Sequence, residues 1–398
     1  MSTEAPRNWD RPIAIGACMC ACVAAYGVYL GLPLILGALA DAYGFSNREI
    51  GWISSAENAG LLLGSISVSV LARSGQFRKL AFAGMVIAVI GNAVTLFIDS
   101  FVSFCAVRLV TGLGAGLCYS AAIACLSLTR KATRNFSIFI FVLVLANSLE
   151  LWVIPSIVAH FGVRGLYTVL GLAYVVPALL LHYIPAKVAA LVPPQSAATT
   201  SSLSAVPYSL TNLAWSCLLA VVMFNVAASA LWAYSERIGT SIGLSEQSVA
   251  NTLTLANLLS LTGSVVAYWL SRRWGQHRPQ LVAMALMIAV YVVWSTGISI
   301  PTYVVGVFVF FAVWALVQTY QMGTLAVIDH SGRYVALIPA AQGIGQSVGP
   351  FIGGLVLGWK FGFPEMLLTV TLFAVACSGI YAAVYLRLRH IDLKLANT

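Results

Sequence analysis

Three ionisable residues stand in stretches that carry no other charge: Glu57 in "SSAENAGLLLG", Arg108 in "FCAVRLVTGLGAG" and Glu150 in "LANSLELWVIPS". Away from water, side chains of these types have a short repertoire. Glu and Arg can neutralise one another, Arg can hold a carboxylate through its planar fork, and a carboxyl can take up and release a proton. Apolar surroundings favour the neutral acid, and a neighbouring guanidinium favours the carboxylate. Two arrangements compete. In the structural one, Arg108 pairs with Glu57 or Glu150 and locks helices together, although such pairs are not reliably stabilising. In the functional one, Arg108 binds an anion or partners proton coupling, and one glutamate carries the proton.

The elements that hold these residues follow from composition. The chain has 398 residues, of which 60% are hydrophobic and only 8% charged. Soluble domains carry about 25% charged residues, and a water-soluble globule could not hide this much apolar surface. A membrane-spanning helix needs roughly 20 mostly apolar residues. Twelve such runs follow one another, near 12–38, 50–71, 80–98, 101–128, 136–159, 165–185, 211–234, 248–270, 280–299, 301–327, 334–359 and 365–386. A β-barrel would show ~10-residue alternating segments instead. The expected fold is an all-α polytopic membrane protein with twelve transmembrane helices.

The formal net charge of +9 is no nucleic-acid footprint. With both termini placed in the cytoplasm, sixteen of the 21 Lys and Arg fall in inside segments and four outside, with Arg108 inside a span. That is the positive-inside pattern. The expected location is the inner (cytoplasmic) membrane, multi-pass. The first apolar stretch exceeds the ~7–15 residues of a signal core and is read as a retained helix. All eight cysteines fall in spans, and in "CMCAC" Cys18 and Cys22 share a helix face while Cys20 points away, so packing rather than metal binding is expected. In this topology Glu57 and Arg108 each lie seven residues in from the outer end of their spans, about 10 Å deep at 1.5 Å per residue. Glu150 lies about 15 Å deep by the same rise. A charge near the bilayer centre costs from about 2.5 to well over 10 kcal/mol, so each is a functional candidate by default.

An internal repeat organises the chain. "GFSNREIGWISSAENAGLLLGS" aligns with "GLSEQSVANTLTLANLLSLTGS" at an offset of 199, matching Gly44 to Gly243, Ser46 to Ser245, Asn58 to Asn257 and Gly64 to Gly263. The hexamers "RSGQFR" and "RWGQHR" recur 200 positions apart, as do Phe161–Gly162 and Phe361–Gly362. Two six-helix halves of the same orientation explain this. Residues 1–185 form the first bundle, 186–210 a cytoplasmic linker rich in Pro, Ser and Ala, 211–386 the second bundle, and 387–398 a cytoplasmic tail. Glu57 aligns with Ala256 and has no counterpart, and Glu57, Arg108 and Glu150 all belong to the first half.

The repeat, the loop "RSGQFRK" and the stretch "RLVTGLGAG" resemble the major facilitator superfamily of secondary transporters. Arg73, Gly75 and Arg78 keep part of that family's loop pattern, and Arg273 and Gly275 keep it in the second half. Ala72 and Arg272 stand where the family has an acid. "GQSVGPFIGG" carries a Gly-Pro-x-x-Gly-Gly element on the eleventh span, whereas many of the family's drug/proton antiporters carry it on the fifth. The resemblance implies a central cavity lined by the first, fourth, seventh and tenth spans, and these bear polar or aromatic stripes. They are Tyr26 and Tyr29; Arg108, Gly112 and Tyr119; Asn225, Ser229, Trp232 and Glu236; and Trp314, Gln318 and Gln321.

A cavity with one Arg, several rings and amides suits a small organic anion with an apolar or aromatic body. Arg108 would hold the carboxylate, with Tyr26, Tyr29, Tyr119, Asn225, Ser229, Trp232, Trp314, Gln318 and Gln321 completing the site. Glu150, Glu57 and Glu236 are the candidate proton-coupling groups. The expected function is proton-coupled uptake by symport through alternating access, in a monomer that binds its substrate within the lipid bilayer. The proton gradient is the energy source, with no cofactor, metal or nucleic acid. A proton-driven exporter of drug-like or sugar-like molecules is the alternative, and a transporter-like receptor a remote one. The five histidines sit in loops or at span ends, and no constellation points to an enzyme.

Overall fold

The computed structural model describes residues 11–71, 76–183, 208–275, 277–329, 334–359 and 361–391. The expected linker, 186–210, falls almost entirely outside them, as do Arg73, Gly75 and the end of the tail. Regular structure among the described residues is helical: α1 (Pro12–Leu30), α2 (Leu32–Tyr43), α3 (Asn47–Leu71), α4 (Phe77–Thr95), α5 (Phe101–Ser127), α6 (Ala132–Leu172) and α7 (Val175–Leu180), then α8 (Tyr208–Ser241), α9 (Glu246–Trp274), α10 (His277–Thr296), α11 (Ile300–Ile328), α12 (Ile338–Gly358) and α13 (Phe363–Ile391).

These helices make twelve membrane crossings. Nine described segments are long and apolar enough to span by length and composition. One of them, Arg134–Tyr183, has 50 residues, far more than the roughly 20 a single crossing needs. It holds two spans that part at Gly162, whose φ of 64° and ψ of −174° only glycine adopts readily. α3 and α9, at 25 and 29 residues, are long enough to cross but richer in polar residues. The first span differs from the expectation of one helix over 12–38. It runs to Tyr43 and breaks at Gly31 between α1 and α2. Pro33 has no N–H to continue the hydrogen-bond ladder, which is why α1 cannot run through.

The repeat has a structural cause. Gly44 and Gly243 both take positive φ, 70° and 88°, and close the turns after α2 and α8. Ser46 and Ser245 then start α3 and α9: Ser46 Oγ accepts from the N–H of Glu49 at 3.3 Å and Ser245 Oγ from that of Ser248 at 3.2 Å. In the second hexamer, Gly275 at φ 72° follows the end of α9.

The chain divides into two compact units, Met1–Leu191 and Val192–Thr398. In the first, α5 packs on α1, α3 and α4. Lipid provides no hydrophobic drive between helices, so small residues at close approach carry the association. A Cβ at Gly60 or Gly64 of α3 would overlap the backbone of Leu109 or Leu113, and one at Gly112 or Gly116 of α5 would overlap that of Glu57 or Leu61. In the second unit α8 packs on α12 and α13, and α11 on α9 and α10. Gly116→Val should therefore lower the thermal unfolding midpoint of detergent-solubilised protein, overpacking costing about 1–3 kcal/mol. Gly379, with nothing within 4 Å of its added Cβ, should accept Ala with little change. Equal midpoints for the two variants would contradict the α3–α5 contact.

Candidate functional site

Arg108 is completely buried and engaged along its whole fork. Its Nε donates to Glu57 Oε2 at 2.8 Å, and Nη2 forms a short ion pair with Glu57 Oε1. Nη1 donates to Asn92 Oδ1 at 2.9 Å and to Thr95 Oγ1 at 3.3 Å. The guanidinium carbon sits 4.9 Å from the Tyr167 ring centroid, within cation–π range. Four helices thus converge on one charge: α3 gives Glu57, α4 Asn92 and Thr95, α5 Arg108 and α6 Tyr167. Of the alternatives open in the sequence, the structure has the Glu57–Arg108 pair. Asn92, Thr95 and Tyr167 were missed, and their only signal was polarity within the third and sixth spans.

Glu150 lies apart from this cluster and makes no hydrogen bond or ion pair with any described residue. Its Oε1 is shielded and without a partner. It faces the break in the first span. A Cβ at Gly31 would come within 2.8 Å of Oε1, and one at Gly27 would lie 3.9 Å from both carboxyl oxygens. Glycine at these positions leaves the space the carboxyl occupies. Glu150 also lines a cavity of about 490 Å³ walled by α1, α6 and α7, whose other lining is almost wholly apolar. Beside Glu57 the chain leaves only a gap of about 10 Å³, room for no more than one water.

The tyrosines come together: Tyr26 lies 4.9 Å from Tyr29 and stacks on Tyr119 at 4.8 Å between ring centroids. In the second unit Trp232 meets Phe311 edge-on at 5.6 Å and Trp314 at 6.4 Å. Asn225 and Ser229 share the expected stripe but face α12. Ser229 Oγ donates to Gly345 O at 3.1 Å, and Gly345 and Gly349 leave no room for a Cβ against α8. Gln318 accepts from Gln342 Nε2 at 2.9 Å, tying α11 to α12. Gln321 and Glu236 are each 1% exposed, the former with its Nε2 3.9 Å from Cys377 Sγ on α13. Of the loop residues, Arg78 donates to the His182 carbonyl at 3.4 Å and Arg273 lies over Trp269 at 5.6 Å.

Two units of membrane-spanning helices, with ionisable groups at membrane depth, define a polytopic membrane protein. The chain belongs to the Major Facilitator Superfamily, whose profile matches residues 17–328. A comparison with curated proteins returns no match. Among solved structures, a bacterial homologue of the human lysosomal transporter Spinster, inward-facing and unoccupied, is similar at a TM-score of 0.77 and 12% identity, over 96% of this chain and 98% of that one. The nucleoside transporter NupG is similar at 0.69 and 11%, over 94% and 99%. A D-xylose-proton symporter is similar at 0.67 and 13%, over 90% and 95%. At these identities the likeness is one of fold.

Removing one partner of a buried pair strands the other, at a cost of about 3–5 kcal/mol, whereas replacing both with apolar residues is often neutral. Glu57→Leu alone should lower the unfolding midpoint strongly, and the Glu57→Leu/Arg108→Leu double variant should recover most of it. A double variant as unstable as the single one would show that the charges are not coupled.

Proposed function

We propose that this chain is a proton-coupled secondary transporter of a small organic compound, in which Glu150 carries the coupling proton and the Glu57–Arg108 pair fixes the first unit. The observation that carries the reading is the contrast between two carboxyls of one unit. Glu57 has its counter-charge in hydrogen-bond contact, and protonating it would strand the guanidinium. Glu150 has no described partner. An unpaired carboxylate at membrane depth is costly and the neutral acid much less so. Such a group binds a proton in apolar surroundings and releases it when they become wet or supply a cation. Its place beside the Gly31 break supports the reading further, because Gly27 and Gly31 leave room for the carboxyl where the helix is interrupted. Cys20 is the other titratable group on the cavity wall. A structural neighbour described as a proton symporter is compatible with this mechanism.

A second reading, uptake of an organic anion by symport, is favoured by the fork itself. Arg108 already holds a carboxylate through Nε and Nη2, and a substrate carboxylate could take the place of Glu57, which would then accept a proton. The Tyr26–Tyr29–Tyr119 cluster would offer rings to an aromatic body. Export by antiport, by contrast, leaves Arg108 paired throughout.

Glu150→Gln decides on the proton carrier. In proteoliposomes the variant should keep substrate exchange between the two sides and lose uphill accumulation driven by a pH gradient. Accumulation at the wild-type level would remove Glu150 from that role.

A further inference from the structure

Part of the second unit's interior is more polar than its place in the repeat requires. α10 packs against both α11 and α13, and Gln280, Gln321, Thr324 and Tyr381 of these helices are each only 1% exposed. Thr324 Oγ1 donates to Gln280 Oε1 at 3.4 Å. Gln321 lies one turn away on the same face of α11, and its Nε2 reaches only the weak acceptor Cys377 Sγ, at 3.9 Å. On α13, Cys377, Tyr381 and Tyr385 follow at i, i+4 and i+8 along one face. The Gln280 amide approaches the Tyr381 hydroxyl, yet neither Gln280 Nε2 nor that hydroxyl closes a hydrogen bond. Gln321 Oε1 likewise has no partner among the described residues.

The first unit shows what the fold itself needs at this place. By the 200-residue offset of the hexamers and of Phe161–Gly162, His277, Gln280 and Tyr381 stand where the first half has Phe77, Leu80 and Leu181. Those three pack against one apolar cluster, Val68, Ala81, Leu117 and Ala121. A dry, apolar filling therefore suits the repeat, and the polar atoms of the second half are a departure from it. A buried polar atom left unbonded is costly. Here such atoms stand on three neighbouring helices, α10, α11 and α13. That is the setting of buried water, which makes about three hydrogen bonds to groups of this kind.

We infer that Gln280, Gln321 and Tyr381 hold ordered water between α10, α11 and α13. Water matches the valences left over: it accepts from Gln280 Nε2 and the Tyr381 hydroxyl and donates to Gln321 Oε1. An ion does not, because these donors and acceptors carry no charge. His277 begins α10, three residues before Gln280, and its ring lies 4.8 Å from that of Tyr385, one turn beyond Tyr381. The polar groups thus run on to the end of α10, and the water exchanges by that route. The second unit gains a hydrated seam that depends neither on Glu150 nor on the pair at Arg108.

The test is radiolytic hydroxyl labelling of the full chain in lipid nanodiscs, which marks side chains next to ordered water even where bulk solvent is excluded. Tyr303 is the internal control. It is as deeply buried as Tyr381, but its hydroxyl donates to Ser235 O at 2.8 Å. In wild type, Tyr381 should be modified at least tenfold faster than Tyr303. In Gln280→Leu/Gln321→Leu, which restores an apolar filling, modification of Tyr381 should fall to the Tyr303 level while Tyr303 stays unchanged. A double variant that loses its fold would show fast labelling of Tyr303. Gln280→Leu alone, which places the first half's residue at this position, should then give the same direction of change. Tyr381 labelled no faster than Tyr303 in wild type, or equally fast in wild type and folded variant, overturns the inference.

Discussion

A charge placed in hydrocarbon must find its opposite or give up its ionised form, and the first unit is built around that constraint. Arg108 cannot shed its proton, so it needs a permanent partner. Glu57 supplies it in bidentate geometry, and Asn92, Thr95 and the Tyr167 ring occupy much of what remains of the guanidinium surface. Because these groups come from four helices, satisfying one charge also sets how α3, α4, α5 and α6 meet. The pair acts with the reciprocal glycines Gly60, Gly64, Gly112 and Gly116, which bring α3 and α5 to backbone contact. Without that approach the carboxylate would not reach the fork.

Glu150 obeys the same constraint by the other route. No cation meets it within the described protein, so its ionised form depends on what arrives from outside. The two carboxyls therefore stand in two different environments. One is held in an ion pair that joins helices, and the other lies without a described partner beside the break in the first span and an apolar cavity. Neither has a counterpart in the repeat, where Ala256 stands opposite Glu57 and Pro350 opposite Glu150, although the second unit buries a carboxyl of its own, Glu236 of α8.

Much of this was legible in the sequence where the cause is local. Gly44 and Gly243 recur because the same turn needs positive φ, and Ser46 and Ser245 because the next helix needs the same cap. The runs of apolar residues and the lone charges within them marked the spans and the candidate site directly. Partner choice was less visible, because it depends on which helices touch. Glu57 and Glu150 were equal candidates for Arg108 until α3 was seen to lie against α5. The stripe of Asn225 and Ser229 had the right helical period, yet the glycines of α12 determine that it serves a helix contact. The break at Gly31 had its signal in "GLPL", but the carboxyl that fills the space beside it comes from a helix more than a hundred residues away.

The most direct test of the division between the two carboxyls is their protonation state, read from the infrared stretching band of protonated carboxylic acids in reconstituted protein. At neutral pH the account predicts that a band of this kind is lost in Glu150→Gln and retained in Glu57→Gln. A band that survives Glu150→Gln and disappears with Glu57→Gln would contradict it, and would make the pair at Arg108, rather than the solitary acid, the seat of the exchangeable proton.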